Sequence, residues 1–319
     1  MGSCVTATDL GLARMMPDKT ECGRQGFTHR ALDFWADCHH GNSLCLFHRR
    51  TSPVPGHNGV LTSFASRMKH LTILTGASRG MGLALAQQLC QRSGAILLCI
   101  SRQSSPTLDA WAAAQGASLT QWRADLAQPV PVAQQMLAWL QQQEPAQLAS
   151  ACLINNAGVI GHLGRPTPEN GHVLHTTLAI NLEAPMQLTA AFLSATRAWT
   201  VSKKIVNISS GLGRRAMAGS SMYCASKAGL DHYSRCVALE EATLAHGARI
   251  VSLAPGVIDT DMQSDLRAGD KNQFPERDNF VNLKQSGALS TPEQAAARVL
   301  AYLDRADFGN QVVADSRDA

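Results

Sequence analysis

Apolar and polar positions along most of the chain follow a pattern typical of strands that alternate with helices. From residue 68 onward, short apolar runs suited to buried strands are each followed by a longer amphipathic stretch. This alternation predicts βαβ units and a parallel sheet. The expected strands are residues 70–75, 95–101, 118–124, 151–155, 204–209, 249–254 and 311–313.

The amphipathic stretches, whose apolar residues recur every three or four positions, predict the helices. Residues 255–290 show no such period and are expected to be mainly loop. No window of about 18 apolar residues occurs, so we expect neither a spanning helix nor a membrane partner. The expected helices are residues 80–92, 108–114, 132–143, 174–198, 220–246 and 292–304.

The first 67 residues have a different character. They show no sustained period and contain four of the nine cysteines. Met68 stands directly before the first predicted strand, so we expect residues 68–319 to form one domain. Residues 1–67 are then an irregular extension, either poorly ordered or translated from a mis-assigned start. A membrane anchor and a metal module are alternatives, but no paired C-x-x-C spacing supports a metal site there.

Composition narrows the classes of function. The 319 residues are 45% hydrophobic and 16% charged, which is typical of a globular protein and argues against a disordered or coiled-coil chain. The 28 basic and 24 acidic residues give a net charge of only +4, which argues against a nucleic-acid partner. The nine irregularly spaced cysteines indicate reduced thiols in the cytoplasm rather than a disulfide framework.

A glycine-rich turn follows the first predicted strand. Gly76, Gly80 and Gly82 have the spacing G-x-x-x-G-x-G and open the next predicted helix. Glycine permits a sharp turn and a close approach to a pyrophosphate, whose charge is favoured at a helix N-terminus. An incidental turn is the alternative, but a strand, a turn and a helix in this order form the context that a dinucleotide site requires.

The end of the second predicted strand indicates which dinucleotide binds. Folds that prefer NAD place an acid there to hold the ribose 2′-hydroxyl. This strand ends in Ser101 and Arg102 without an acid, and Arg79 lies inside the glycine turn. Two guanidinium groups suit a 2′-phosphate, so the sequence favours NADP(H). The alternative is that both arginines are ordinary surface cations.

Four polar residues form a candidate catalytic group. Tyr223 and Lys227 are four residues apart on a predicted helix and therefore project from one face. Ser210 follows a predicted strand, at the edge where open α/β sheets bind ligands, and Asn181 lies in the preceding helix. Each residue also has an ordinary structural explanation as a helix pair, a turn residue or a buried amide.

Taken together, these motifs resemble the short-chain dehydrogenase/reductase family over residues 68–319. The matching residues also include Asp125, the segment Asn155-Asn156-Ala157-Gly158 and the pair Pro255-Gly256. The resemblance implies a three-layer, doubly wound Rossmann fold with a seven-stranded parallel sheet of order 3-2-1-4-5-6-7. Within the family, the chain is most similar to the branch of sepiapterin reductase and benzil reductase. That branch implies reduction of a ketone or diketone to an alcohol with NADPH.

The resemblance also implies a role for each catalytic candidate. Tyr223 is expected to be the general acid that protonates the carbonyl oxygen, and Lys227 to lower the pKa of this phenol. Ser210 is expected to hold and polarise the carbonyl, while Asn181 supports a proton relay to Lys227. No metal ion is expected to take part.

The same resemblance implies a set of residues that bind the cofactor. They lie on the glycine turn, at the ends of the second, third and fourth strands, in the catalytic helix and after the sixth strand. They are Gly76, Ser78, Arg79, Gly80, Met81, Gly82, Ser101, Arg102, Asp125, Leu126, Asn155, Ala157, Gly158, Tyr223, Lys227, Pro255, Gly256 and Ile258.

Apolar residues near these motifs are expected to form the walls of a pocket for a hydrophobic or aromatic carbonyl compound. These wall residues are Val159, Ile160, Leu212, Met217 and Met262. One alternative is reduction of 3-oxoacyl carrier-protein thioesters, with Arg214 and Arg215 as cations for the carrier. Another is an NADP-sensing protein without catalysis.

Apolar helical stretches near residues 173–193 and 223–244 suggest a homodimer or homotetramer. The family commonly pairs helices in this way. Packing within one core explains the same stretches equally well.

Overall fold

The computed structural model describes residues 68–318. The proposed extension, anchor and metal module in residues 1–67 lie outside the described residues. The boundary placed at residue 68 therefore stays a prediction.

A single parallel sheet of seven strands forms the centre of the described part of the chain, in the order β3-β2-β1-β4-β5-β6-β7. This order confirms the expected Rossmann topology. Most of the strands are largely buried on both faces because helices cover a parallel sheet on both sides, whereas the edge strand β3 is partly exposed. They are β1 Lys69–Thr75, β2 Ala95–Ser101, β3 Ser118–Arg123, β4 Leu148–Asn155, β5 Ser202–Ile208, β6 Arg249–Ala254 and β7 Val313–Asp315.

Helices connect the strands and pack on the two faces. In residues 68–318 they are α1 Gly80–Cys90, α2 Pro106–Gln115, α3 Pro129–Gln141, α4 Gly171–Leu178, α5 Ala184–Thr196, α6 Ser221–Ala242, α7 Asp261–Ala268, α8 Arg277–Gln285 and α9 Pro292–Asp304. None of these helices is both long enough and apolar enough to cross a membrane.

Two buried clusters join the two outer layers of helices to the sheet. Leu74 and its neighbours on one face of the sheet pack against α1, α2 and α9. Ile73, on the opposite face, belongs to a cluster with α3, α5 and the middle of α6. Successive residues of a strand point to opposite faces, so Ile73 and Leu74 anchor different layers. This arrangement confirms the three-layer, doubly wound architecture.

The long helix predicted over residues 174–198 is interrupted by a π-helical turn at Ala179–Glu183. Pro185 begins the next helical segment, at the first turn of α5. Its ring nitrogen carries no proton, so it cannot donate to the carbonyl four residues earlier, which is that of Asn181. The turn therefore widens at Asn181, and π-turns of this kind are frequent at functional sites.

The prediction that residues 255–290 are mainly loop was wrong in part, because this stretch contains α7 and α8. Both helices are short and polar. In α7 only Gln263 and Leu266 are buried, and in α8 no residue is. With so few buried positions they show no clear apolar period. The last strand also lies two residues later than expected.

Candidate active site

The glycine turn lies between β1 and α1 and requires glycine for steric reasons. Gly76 has φ +72°, and a carbon at its Cβ position would lie 3.0 Å from the Ala157 Cα. A Cβ at Gly82 would lie 2.0 Å from the Gly76 carbonyl oxygen, so α1 packs directly on the turn. No side chain caps the N-terminus of α1. Its first amides are thus available to an anion, as the motif predicted.

A threonine clamp joins the turn to the end of β4. The Thr75 hydroxyl accepts hydrogen bonds from the backbone amides of Asn156 (2.9 Å) and Ala157 (3.0 Å). The Asn156 side chain donates in return to the Thr75 carbonyl (2.9 Å). Sequence reasoning did not place Thr75 or Asn156 in the site. The available signal was the polar Thr75 at the end of β1, directly before the glycine turn.

The end of β2 contributes one buried hydroxyl and one exposed cation. The Ser101 hydroxyl accepts a hydrogen bond from the Ala77 amide (2.8 Å), which ties β2 to the glycine turn. Arg102 is exposed. Arg79 donates to Asp261 at the start of α7 (2.6 Å), and both side chains are about 70% exposed. Of the two cations proposed for a 2′-phosphate, Arg79 therefore already has an acidic neighbour.

Tyr223 and Lys227 lie on the first turns of α6, and both are buried. The Lys227 ammonium donates to the Ile208 carbonyl at the end of β5 (2.8 Å) and lies 5.8 Å from the centre of the Tyr223 ring. Ser210, two residues after Ile208, lines the same cavity as Tyr223. Its hydroxyl accepts from the Leu212 amide (3.2 Å), so Ser210 also caps its turn.

Asn181 lies in the π-helical turn and is completely buried. Its side chain accepts from the Val159 amide and donates to the Val159 carbonyl, both at 2.8 Å. It also donates to the Ser226 hydroxyl (3.1 Å) on α6. Asn181 therefore holds the segment after Gly158 against α6 from behind the cavity.

One cavity of about 980 Å³ joins the glycine turn to the catalytic group. Most of the predicted cofactor residues line it. They are Gly76, Ser78, Arg79, Gly80, Met81, Gly82, Ser101, Arg102, Asp125, Leu126, Ala157, Gly158, Tyr223, Lys227, Pro255, Gly256 and Ile258. Ser210 and four of the expected wall residues, Val159, Ile160, Leu212 and Met262, line it too.

Comparison with known proteins agrees with this geometry. The family model described as short chain dehydrogenase matches residues 70–271. Benzil reductase ((S)-benzoin forming) from Bacillus cereus is 34% identical over 236 residues, 74% of this chain and 94% of that protein. Sepiapterin reductase from Meriones unguiculatus is 33% identical over 261 residues, 77% of this chain and 95% of that protein.

The chain belongs to the short-chain dehydrogenase family. It is thus an oxidoreductase, and its similarity to benzil and sepiapterin reductases confirms the predicted branch. The fold also matches that of the 3-oxoacyl-[acyl-carrier protein] reductase from Brucella melitensis, with a TM-score of 0.63 and 24% identity. That match covers 79% of this chain and 96% of the other, and it supports the fold alone.

Three predicted residues of this short-chain dehydrogenase do not line the cavity. Asn155 lies in the centre of the sheet, where its side chain donates to the Asn207 side-chain oxygen (2.8 Å). Asn156 occupies the lining instead. Met217 packs in the apolar cluster that includes Tyr223. Asn181 is the third, and it supports the wall through the Val159 backbone.

Sequence reasoning missed several lining residues, and some of them lie on α7, α8 and the C-terminal segment. Leu266 and Phe280 add apolar wall, while Gln263 and Arg317 add polar groups. The wall residues were missed because the helices that carry them were not predicted. Arg317 had no signal in the sequence, since its position depends on where the chain turns after β7.

Burial shifts the pKa values of the two central residues in opposite directions. It raises the pKa of the Tyr223 phenol to about 12, an effect that the polar Ser210 hydroxyl opposes. It lowers the pKa of Lys227 to about 8, opposed by the charge of Asp231 one turn along α6. At neutral pH the phenol therefore holds its proton, while the ammonium lies close to its titration range.

The Lys227 shift makes a prediction for stability. Between pH 8 and 10 an unfolded lysine is still protonated, whereas the folded Lys227 loses its proton, so the free energy of unfolding should rise with pH. Relative to Lys227→Met, the wild type should gain up to about 1.4 kcal/mol per pH unit. Urea unfolding at several pH values measures this. The control Lys271→Met changes an exposed lysine and should keep the wild-type dependence of the free energy of unfolding on pH. If the difference in this free energy between wild type and Lys227→Met does not change with pH, the pKa shift is contradicted.

Proposed function

We propose that the protein is an NADP(H)-dependent carbonyl reductase that converts a ketone or diketone to an alcohol. The observation that carries the proposal is the meeting of Ser210, Tyr223 and Lys227 at one end of a cavity whose other end is the glycine turn. A dinucleotide and a carbonyl compound can share this space. The apolar walls and the similarity to benzil reductase and sepiapterin reductase support a hydrophobic carbonyl compound as the substrate.

The residues of the chain supply acid catalysis and positioning. When bound, the nicotinamide cofactor supplies the hydride. The Ser210 hydroxyl holds the carbonyl oxygen, and Tyr223 donates its phenolic proton to that oxygen as negative charge develops there. The charged Lys227 stabilises the phenolate that remains. Asn181 keeps the Val159 segment in place, and the apolar wall limits the access of water.

Replacing the acid tests the assignment. Tyr223→Phe keeps the ring but removes the proton donor, so kcat for carbonyl reduction should fall by about 10²–10⁴-fold. NADPH oxidation with a panel of aromatic and aliphatic diketones measures this. The dissociation constant for NADPH should stay within a few-fold of the wild-type value. An active Tyr223→Phe enzyme would contradict the mechanism.

The preference for NADP(H) rests on charge at the end of β2. Among residues 68–318, Arg102 has no ion-pair partner, and no acid follows β2 directly. Arg79 can add a second cation if a phosphate displaces Asp261, since an exposed ion pair is worth only about 0–1 kcal/mol.

Removing the Arg102 charge should weaken binding of NADPH by about tenfold or more, because a hydrogen bond to a charged group contributes about 1.5–3 kcal/mol. Binding of NADH should change little. Fluorescence titration of the Arg102→Ala variant with both cofactors measures the difference. Arg165→Ala, an exposed arginine outside the cavity lining, is the matched control. Equal losses for NADPH and NADH would contradict the assignment.

The two alternative functions have less support. Arg214 donates to the Ala314 carbonyl (3.1 Å), which leaves Arg215 as the cation for an acyl carrier at the mouth of the cavity. A sensing role without catalysis does not require all four catalytic residues, yet all are present. Including a 3-oxoacyl thioester in the substrate panel tests the first alternative. The second predicts that the protein binds NADPH without turnover of any carbonyl compound.

We further propose a homodimer or homotetramer in the cytoplasm. Leu239 on α6, Leu244 two residues beyond the end of α6 and Met186 on α5 are 74%, 42% and 39% exposed. Exposed apolar side chains on and beside these two helices support an interface between subunits. The cysteines described in the structure are free thiols, which supports a reducing compartment.

Light scattering after gel filtration tests the assembly. The wild type should have at least twice the mass of one chain, and Leu239→Glu should shift it toward the monomer. Val130→Glu, a charge on an exposed apolar residue of α3, is the control and should leave the mass unchanged. A monomeric wild type would contradict the proposal.

A further inference from the structure

A buried carboxylate that the reaction steps above do not use lies behind the catalytic group. Asp231 is on α6, one turn after Lys227, and is only 1% exposed. Its Oδ1 accepts hydrogen bonds from the hydroxyls of Ser209 (2.5 Å) and Ser252 (2.6 Å). Removing a charged carboxylate from water is costly unless it is paired or hydrogen-bonded, so its position requires an explanation.

The contacts of α6 with the end of β5 give that explanation. Two successive residues there each bind a residue of the helix. The Ile208 carbonyl accepts a hydrogen bond from Lys227, and the Ser209 hydroxyl donates one to Asp231. Ser210 follows them directly. The position of Ser210 is therefore fixed through its two predecessors.

The second carboxylate oxygen faces the turn after β5. Oδ2 is buried and has no hydrogen-bond partner among the described residues. A carbon at the Cβ position of Gly213 would lie 2.7 Å from it, so the turn packs directly on the carboxylate. The Arg214 Nε is 3.7 Å from Oδ2, and this side chain is about one-third exposed.

Few other charges face Asp231 and Lys227 in the part of the chain that the structure describes. Lys227 and Tyr223 lie on the same helix, Arg214 comes from the turn after β5, and Asp315 of β7 lies beyond Arg214. The ends of β5 and β6 contribute uncharged groups, which are the Ile208 carbonyl and the hydroxyls of Ser209 and Ser252. Asp231 is therefore the anion that acts on the buried ammonium.

We propose that Asp231 is a positioning residue for the proposed reaction. Its charge keeps Lys227 cationic inside the core, while its two hydroxyl contacts fix the strand end that presents Ser210. The inference rests on the proposed carbonyl reduction and assigns a role to a residue that touches neither substrate nor cofactor.

Two variants separate charge from position. Asp231→Asn removes the charge, while its remaining oxygen can still accept from Ser209 and Ser252. Ser252→Ala removes one hydroxyl contact and leaves the charge. Asp304→Asn, which removes an exposed carboxylate paired with Arg92, is the surface control. Thermal unfolding confirms that each variant is folded.

The first readout does not depend on activity. The titration midpoint of Lys227 is followed by NMR in cofactor-free protein labelled with ¹³C at the lysine Cε, and Lys227→Arg assigns the signal. Asp231→Asn should lower the midpoint by about one pH unit, because a neighbouring negative charge favours the protonated form of lysine. Ser252→Ala and Asp304→Asn should leave it unchanged.

The second readout is the pH profile of kcat/KM for carbonyl reduction. In Asp231→Asn the alkaline limb should move to lower pH by about the same amount, so that activity at pH 8 falls about fivefold and activity at pH 6 changes less. An unmoved midpoint in an active enzyme would overturn the role of Asp231. So would equal losses at every pH in Asp231→Asn and Ser252→Ala. A wild type without carbonyl reduction would instead contradict the proposed function, whatever Lys227 does.

If Asp231→Asn does not fold, Asp231→Ser decides. It removes the charge and keeps a short polar side chain, so the Lys227 midpoint should again move to lower pH. A midpoint that stays in place or moves to higher pH would overturn the inference.

Discussion

The site depends on a lysine ammonium held inside the core of the protein. Lys227 is 4% exposed and donates to one carbonyl, at the end of β5. A buried charge of this kind is tolerated only if its surroundings hold it rigidly and supply compensating charge. The adjacent carboxylate, the strand end and the phenol are therefore parts of one arrangement. Displacing any of them would leave the buried ammonium with less compensation for its burial.

The parallel sheet makes this arrangement possible. In a parallel sheet the carboxyl ends of neighbouring strands meet at one edge, so β1, β4, β5 and β6 deliver their last residues to the same place. Two local features, the threonine clamp at β1 and the π-helical turn before α5, then fix the positions of the backbone segments next to them. Local backbone features of this kind determine the fine geometry that the topology leaves open.

Much of this could be predicted from the sequence. The apolar runs predicted every strand to within a few residues, and the glycine spacing with the Tyr223–Lys227 pair indicated both ends of the cavity. The sequence did not indicate α7 and α8, because few of their residues are buried and no periodic apolar pattern results. It also did not distinguish Asn155 from Asn156. These neighbours point to opposite sides of the strand end, and the register of β4 decides which one faces the cavity.

The uneven anchoring of the cavity walls has a consequence for how the enzyme can change. The half that would hold the dinucleotide is built from the sheet and its buried helices, where a substitution disturbs close packing. The opposite wall includes Phe280, which lies on the short α8, where no residue is buried. Substitutions of Phe280 can reshape the substrate space at a lower cost in stability than substitutions in the core. New specificities can therefore evolve on one side of the cleft while the chemistry on the other side stays intact.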